Sequence, residues 1–183
     1  MIVETDRLIM RPWRDDDRPA LAAICGDAEV RRFYPKVLTA EETSAQIDGV
    51  IAATARNGFH FAAAELKSTG KLIGFIGLGV IPDHLRDVIP GRPRVEIGWQ
   101  LDKAVWGQGL APEGARAWLD YGWNTLKLEE IVAFTAAINL PSQRVMEKIG
   151  MSRKASDDFD HPALAPGHSL LKHVLYRIKA PRH

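Results

Sequence analysis

The stretch that most limits how this chain can fold runs from Arg94 to Glu113. Arg94–Leu101 alternates strictly, with Val95, Ile97, Trp99 and Leu101 on one side and Glu96, Gly98 and Gln100 on the other, the period of a strand. Gly107-Gln108-Gly109 follows and leads into a helix predicted from about Pro112 to Leu126. Both glycines can take positive φ and leave room for a ligand against the backbone. The unpaired N–H groups of a helix start favour an anion. Polyphosphate binding is therefore the natural reading, beside that of a purely structural turn. A P-loop is excluded because no Gly-Lys-Ser/Thr follows. A dinucleotide fingerprint needs a small residue at position 112, where Pro112 stands. Its acidic partner would follow the next strand, whereas Glu129 and Glu130 precede it.

The rest of the chain supplies an α/β (α+β) pattern in the order β-α-α-β-β-β-α-β-α-β, a mixed and mostly antiparallel sheet flanked by helices. Thr5–Pro12 reads as an edge-like strand. Asp15-Asp16-Asp17 supplies caps and negative charge for a helix carrying Leu21 and Ile24. Thr39 and Glu42 form a capping box that opens a second helix through Ile47, Val50 and Ile51, stopped at Gly58. Phe59–Leu66 and Lys71–Val80 read as a hairpin, and residues 82–94 as a loop. Ile131–Ala136 is a short strand and Pro141–Ile149 a helix with Gly150 past its end. Residues 155–169 form another loop, before a last strand Leu170–Ile178.

The 183 residues suit one domain, 1–183. With 24 Lys+Arg against 23 Asp+Glu, the net charge of +1 argues against holding nucleic acid by bulk electrostatics. The single Cys25 excludes a disulfide framework and a cysteine zinc site. The longest apolar run, Leu72–Ile81, holds three glycines and is too short for a bilayer. No secretory leader is evident at MIVETDRLIM, so the expectation is a soluble cytoplasmic protein with no membrane partner.

Asn139-Leu140-Pro141-Ser142-Gln143-Arg144-Val145-Met146-Glu147-Lys148-Ile149-Gly150-Met151 follows the next strand. At this distance from the glycine turn, it resembles the GCN5-related N-acetyltransferase (GNAT) superfamily. The likeness is to the branch that includes the ribosomal-protein alanine N-acetyltransferases. TDRLIMRP, KLIGFIGL and VEIGWQLDKAVWGQGLAPEG extend it over nearly the whole chain. The resemblance implies acetyl-CoA as acetyl donor, with no metal. Its pyrophosphate would rest on the amides of Trp106, Gly107, Gln108, Gly109, Leu110 and Ala111. The family pattern there is Gln/Arg-x-x-Gly-x-Gly/Ala; Gly109 and Ala111 fit it and Trp106 departs from it. Trp99, Gln100 and Leu101 would pair with the pantetheine arm as an added strand does. Asn139 and Ser142 would lie near the pantetheine and the thioester sulfur.

The chemistry asks for a base. A lysine amine of pKa ~10.4 is neutral in about one molecule in 2,500 at pH 7, and an α-amine of pKa ~7.8 in roughly one of seven. Glu96, on the strand entering the motif, is the candidate base, acting through water; its other reading is an ordinary outward-facing acid. A main-chain N–H near Leu101 would hold the oxyanion. Relatives often use a Tyr in the last helix to protonate the thiolate; Met146 stands there, leaving Ser142 as donor or as a cap or pantetheine contact.

Asp157, Asp158 and Asp160 with His161 form an acidic loop that either attracts a cationic amine or is simply solvated. Trp13, Phe33 and Tyr34 are acceptor-wall or packing residues. Tyr176 is placed to reach the site from the strand face opposite Leu171, His173 and Leu175. Arg86, Arg92 and Arg94 bias the 82–94 loop positively. The function this implies is direct acetyl transfer, in a ternary complex, to the amine of a protein N-terminus or small molecule, by a monomer or homodimer. A CoA-binding regulatory or interaction module without turnover is the alternative. A nucleotide-binding enzyme is the third, disfavoured by Pro112.

Overall fold

The computed structural model describes residues 1–181. Its strands are β1 (Val3–Glu4), β2 (Leu8–Arg11), β3 (Ala62–Leu66), β4 (Lys71–Val80), β5 (Val95–Leu101), β6 (Glu130–Ala136), β7 (Ser152–Arg153), β8 (Phe159–Asp160) and β9 (Lys172–Lys179). Its helices are α1 (Arg18–Gly26), α2 (Ala40–Asn57), the one-turn α3 (Asp83–Arg86), α4 (Leu110–Asn124) and α5 (Leu140–Lys148). One sheet runs β1-β2-β3-β4-β5-β6-β9-β7, with β8 also on β9. Every pairing is antiparallel except β5–β6, which are parallel because α4 crosses between them. The mixed, mostly antiparallel sheet flanked by helices is the fold class the sequence implied.

Several boundaries and roles differ. Thr5–Pro12 is not an edge strand: β2 is flanked by β1 and β3. Thr5 breaks the run, exchanging main-chain contact with Leu8 and accepting its N–H at Oγ1 (3.0 Å). The three aspartates form a 3₁₀ turn and do not cap α1 by side chain. Asp17 is buried instead and grips Arg11 through two bonds of 2.8 and 2.9 Å, while Arg11 Nε reaches Glu65 (2.8 Å). The Thr39–Glu42 box is formed reciprocally and Gly58 ends α2 at φ 81°. The 82–94 loop contains α3, and the 155–169 loop contributes β8.

The helices cover opposite faces of the sheet. On one, Leu8, Met10, Ile76, Leu78 and Ile97 pack against Trp118 and Leu110 of α4, joined by Met146 and Ile149 of α5. The close approach is made at Gly114, where a Cβ would stand 2.6 Å from Ile76 Cδ1. On the other, Leu21 and Cys25 of α1 and Ile47 of α2 pack on Phe75.

Candidate active site

β5 and β6 meet at a single register pair, Glu96↔Val132. Beyond it they part, so residues 97–101 of β5 keep β4 on one edge and, among the described residues, have no strand on the other. Asp102 N–H bonds Ile73 O on the β4 side (2.8 Å). By the alternation of an extended chain, the main-chain groups of Trp99 and Leu101 point to the vacated edge. The wedge is a cavity of about 320 Å³ that passes between the two sheet faces. Trp99, Asn139, Ser142 and Met146 line it on the α4/α5 side, and Arg31, Tyr34, Phe61 and Glu96 on the α1/α2 side.

Below the end of β5 the chain turns into α4. Gly107 and Gly109 have φ of 76° and 77°, the left-handed region their residue type favours. A Cβ at Gly107 would meet nothing within 4 Å, so that glycine serves the turn rather than tight packing. Among the described residues, the amides of Gly107, Gln108, Gly109, Leu110 and Ala111 have no acceptor. These five N–H groups at a helix start suit a pyrophosphate. Trp106 explains its own departure from the family pattern. Its indole Nε1 donates to Leu101 O (2.9 Å), tying the turn to the strand end. The turn is also clamped from the N-terminus: Glu113 accepts from Arg7 Nε (2.6 Å) and Thr5 Oγ1 (2.5 Å), and Arg7 Nη1 donates to Gln108 O (2.9 Å). Burial opposes ionisation of Glu113, but these donors outweigh it and hold its carboxyl below the ordinary range.

Asn139 caps α5, accepting from Ser142 N–H (3.3 Å) and donating to Thr135 Oγ1 (2.9 Å). The cap is therefore Asn139, and the Ser142 hydroxyl, without a protein partner among the described residues, lines the cavity. Met146 of α5, 2% exposed, lines the cavity beside them. Gln100 does not face the vacated edge: by the same alternation its main chain bonds β4 opposite Phe75, and its side chain turns to the other sheet face. There it accepts from Arg31 Nη1 (3.1 Å) and donates to Cys25 Sγ (3.2 Å).

Glu96 faces the α1/α2 side of the cleft, half-buried, with no ion pair among the described residues. Desolvation alone pushes its carboxyl up to about 8. Tyr34 is 38% exposed as a residue and also lines the cleft. Burial raises its phenol, opposed by Arg31 and reinforced by Glu96. Across the cavity, burial pushes His173 down to about 4, leaving it neutral, and its ring lies 4.8 Å from His161, lowered by the same cause.

One expectation fails here, and three other features take the plainer of their two readings. Tyr176 does not reach the cavity; its neighbour on the opposite strand face, His173, does. Tyr176 is buried behind α5 and donates to Glu147 (3.2 Å). The aspartates of the 155–169 loop offer no free negative patch. Asp157 pairs with Arg177, Asp158 with Arg153 and Asp160 with Lys172. Trp13 is packed with Leu21 and Phe75 and donates to Phe61 O (2.9 Å), away from the acceptor wall. Arg86 and Arg92 are likewise paired, with Asp83 and Asp87. Arg31, Phe61 and His173 carried no sequence signal, because each comes to the wedge from a segment remote in the chain.

The family model described as acetyltransferase (GNAT) domain matches residues 7–152. YnaD of Bacillus subtilis (strain 168), called an uncharacterised N-acetyltransferase, is 32% identical over 155 residues, 84% of each chain. A GNAT-family acetyltransferase structure from Bacillus anthracis is 27% identical, covers 98% of both chains and superposes with a TM-score of 0.77. RimL, a ribosomal L7/L12 α-N-protein acetyltransferase solved with coenzyme A, shares the fold at TM-score 0.74 and 17% identity over 98% of each chain. The chain belongs to the GNAT acetyltransferase family and is an acetyl-CoA-dependent acyltransferase.

Proposed function

We propose that the chain transfers acetyl directly from acetyl-CoA to a primary amine in a ternary complex, with Glu96 as base. The observation that carries this reading is the single wedge where β5 leaves β6. It joins the free β5 edge at Trp99, on the strand that runs on into the amide-lined turn, to a desolvated carboxyl on the other face. The amides of residues 107–111 fit the pyrophosphate, the vacated edge at Trp99 and Leu101 fits the pantetheine, and Asn139 and Ser142 line the cavity that would take the thioester end. Bound there, acetyl-CoA supplies an activated acyl carbon. In the transfer the amine nitrogen forms the new N–C bond and the C–S bond breaks.

Glu96 accepts the amine proton, through water or directly, and a main-chain N–H of the vacated β5 edge within the cavity, at Trp99 rather than at Leu101 by the turn, donates to the acyl oxygen as it gains charge. Ser142, on the α5 side of the cavity, offers a hydroxyl to donate to the departing sulfur, a modest demand for a thiol of pKa ~8.5. At pH 7 a carboxyl of pKa about 8 is mostly protonated, so Glu96 works on the rising limb of its own titration unless a cationic amine lowers it.

Thermal-shift titration with acetyl-CoA, CoA, NAD and ATP tests the donor. A ligand at 100 times its Kd adds about 2.7 kcal/mol of stability. Stabilisation by acetyl-CoA but not the nucleotides, followed by amine-dependent thiol release, is the expected result. The binding-module reading, favoured by Met146 at the Tyr position, predicts the first without the second for every amine.

A further inference from the structure

Arg31 is 9% exposed, lines the cavity, and has no carboxylate partner among the described residues. The contrast with Arg11, the other buried arginine, is sharp: Arg11 is neutralised by Asp17 and Glu65. Arg31 is held only by neutral acceptors, Lys36 O to Nε (3.1 Å) and Gln100 Oε1 to Nη1 (3.1 Å), and lies 3.7 Å from the centre of the Tyr34 ring. Two of its five N–H groups are engaged. A buried guanidinium without a counter-ion is costly, and a fork fixed in place by neutral partners is prepared for a planar anion.

The anion does not come from Glu96. That side chain forms no ion pair with Arg31, although it projects from the same face of β5 as Gln100, the residue holding Arg31. Four residues separate them, about 13 Å along an extended strand. One cavity thus offers a base near the point where β5 and β6 part and a free cation further along the same face. Its size, about 320 Å³ before any donor enters, leaves room for a small acceptor.

We propose that Arg31 receives a carboxylate of the acceptor, so that the amine acetylated belongs to a molecule that also carries a carboxylate. The proposal rests on the acetyl-transfer reading and names its substrate class. Two sources share this chemistry: a free amino carboxylate, which the cavity volume favours, and the N-terminus of a peptide with an acidic side chain.

The test measures thiol release from acetyl-CoA with matched acceptors. These are amino carboxylates of several chain lengths, their carboxamides, and short peptides differing only in one acidic or neutral side chain. The carboxylate is expected to win in kcat/KM by at least about tenfold, although a carboxamide lowers the amine pKa and frees more neutral amine. Arg31→Gln is expected to abolish the preference, with a loss of about 30-fold or more on the carboxylate, and Arg31→Lys to restore part of it. Preference for the free compounds or for the acidic peptides supports the site and identifies the source. Equal rates on carboxylate and carboxamide with the wild-type protein overturn the proposal, whatever the variants do. So does a preference that survives Arg31→Gln, or a loss confined to acetyl-CoA Kd. Thiol release with neutral amines alone overturns the substrate class but keeps acetyl transfer. No release with any amine removes both.

Discussion

Replacing Glu96 by Gln removes the carboxyl of the cleft while keeping its shape and one acceptor oxygen. Its carboxyl is shifted from an ordinary 4.5 to about 8 by desolvation alone. With a pKa of about 8, roughly a tenth of the enzyme holds it ionised at pH 7 and about half at pH 8. The wild-type rate should therefore climb close to tenfold per pH unit below about pH 7 and about fivefold between pH 7 and 8, on top of the acceptor's own ionisation. The ratio of wild type to Glu96→Gln cancels that second contribution. It should rise with pH, level off above about 8, and reach roughly 10²- to 10⁴-fold, the range of a positioned general base. Stability gives an independent reading. Because the folded pKa lies above the unfolded one, the neutral form stabilises the fold fully below about 4.5, and this contribution is lost as pH rises through about 8. Relative to the Gln variant, the wild type should lose up to roughly 5 kcal/mol across that window, less to the extent that water in the open cleft screens the charge. Denaturant melts at pH 5, 7 and 9 and kcat/KM from pH 6 to 9.5 are the measurements. A rate ratio flat with pH refutes the base; stability curves that run parallel refute the desolvation on which it depends.

Gly109→Ala forces a side chain into φ 77°, so it should cost about 1–2 kcal/mol of stability and weaken acetyl-CoA binding by roughly tenfold, both readable in one thermal-shift titration. Arg11→Met leaves Asp17 buried without its cation and should destabilise the protein by about 3–5 kcal/mol in urea melts, with part of the loss recovered below the pKa of Asp17, where its charge disappears. Ser142→Ala should lower kcat with little change in acetyl-CoA Kd if the hydroxyl serves the departing sulfur; an effect on Kd alone would make it a pantetheine contact.

Local features were readable without coordinates. The capping box at Thr39 and Glu42, the Gly58 stop and the strand alternation of 94–101 each arise from neighbours within a few residues, and all three stand in the structure. The glycine turn belongs with them, since positive φ at 107 and 109 is a demand that Gly meets locally. Errors arose where a contact across the sheet overrode a local signal. Asp17 is a plausible cap by position, but Arg11 claims it. Thr5–Pro12 has a strand pattern along its length, but Thr5 folds it into a hairpin and β3 covers its other edge. Tyr176 and His173 lie on opposite faces of β9, as alternation requires, but which face meets the cavity depends on where α5 packs.

The sequence by itself determined the class of fold, the glycine turn and the family, because these rest on residue types at short fixed spacings. It also placed Glu96 on the strand that feeds the turn. Whether Glu96 is an ordinary surface acid or a carboxyl held near 8 was decided only by the tertiary structure, since desolvation comes from Phe61, Tyr34 and other residues far away in the chain. The unpaired state of Arg31 was decided there too. A buried charge is defined by what surrounds it in space, and no local spacing encodes which carboxylates will be out of reach.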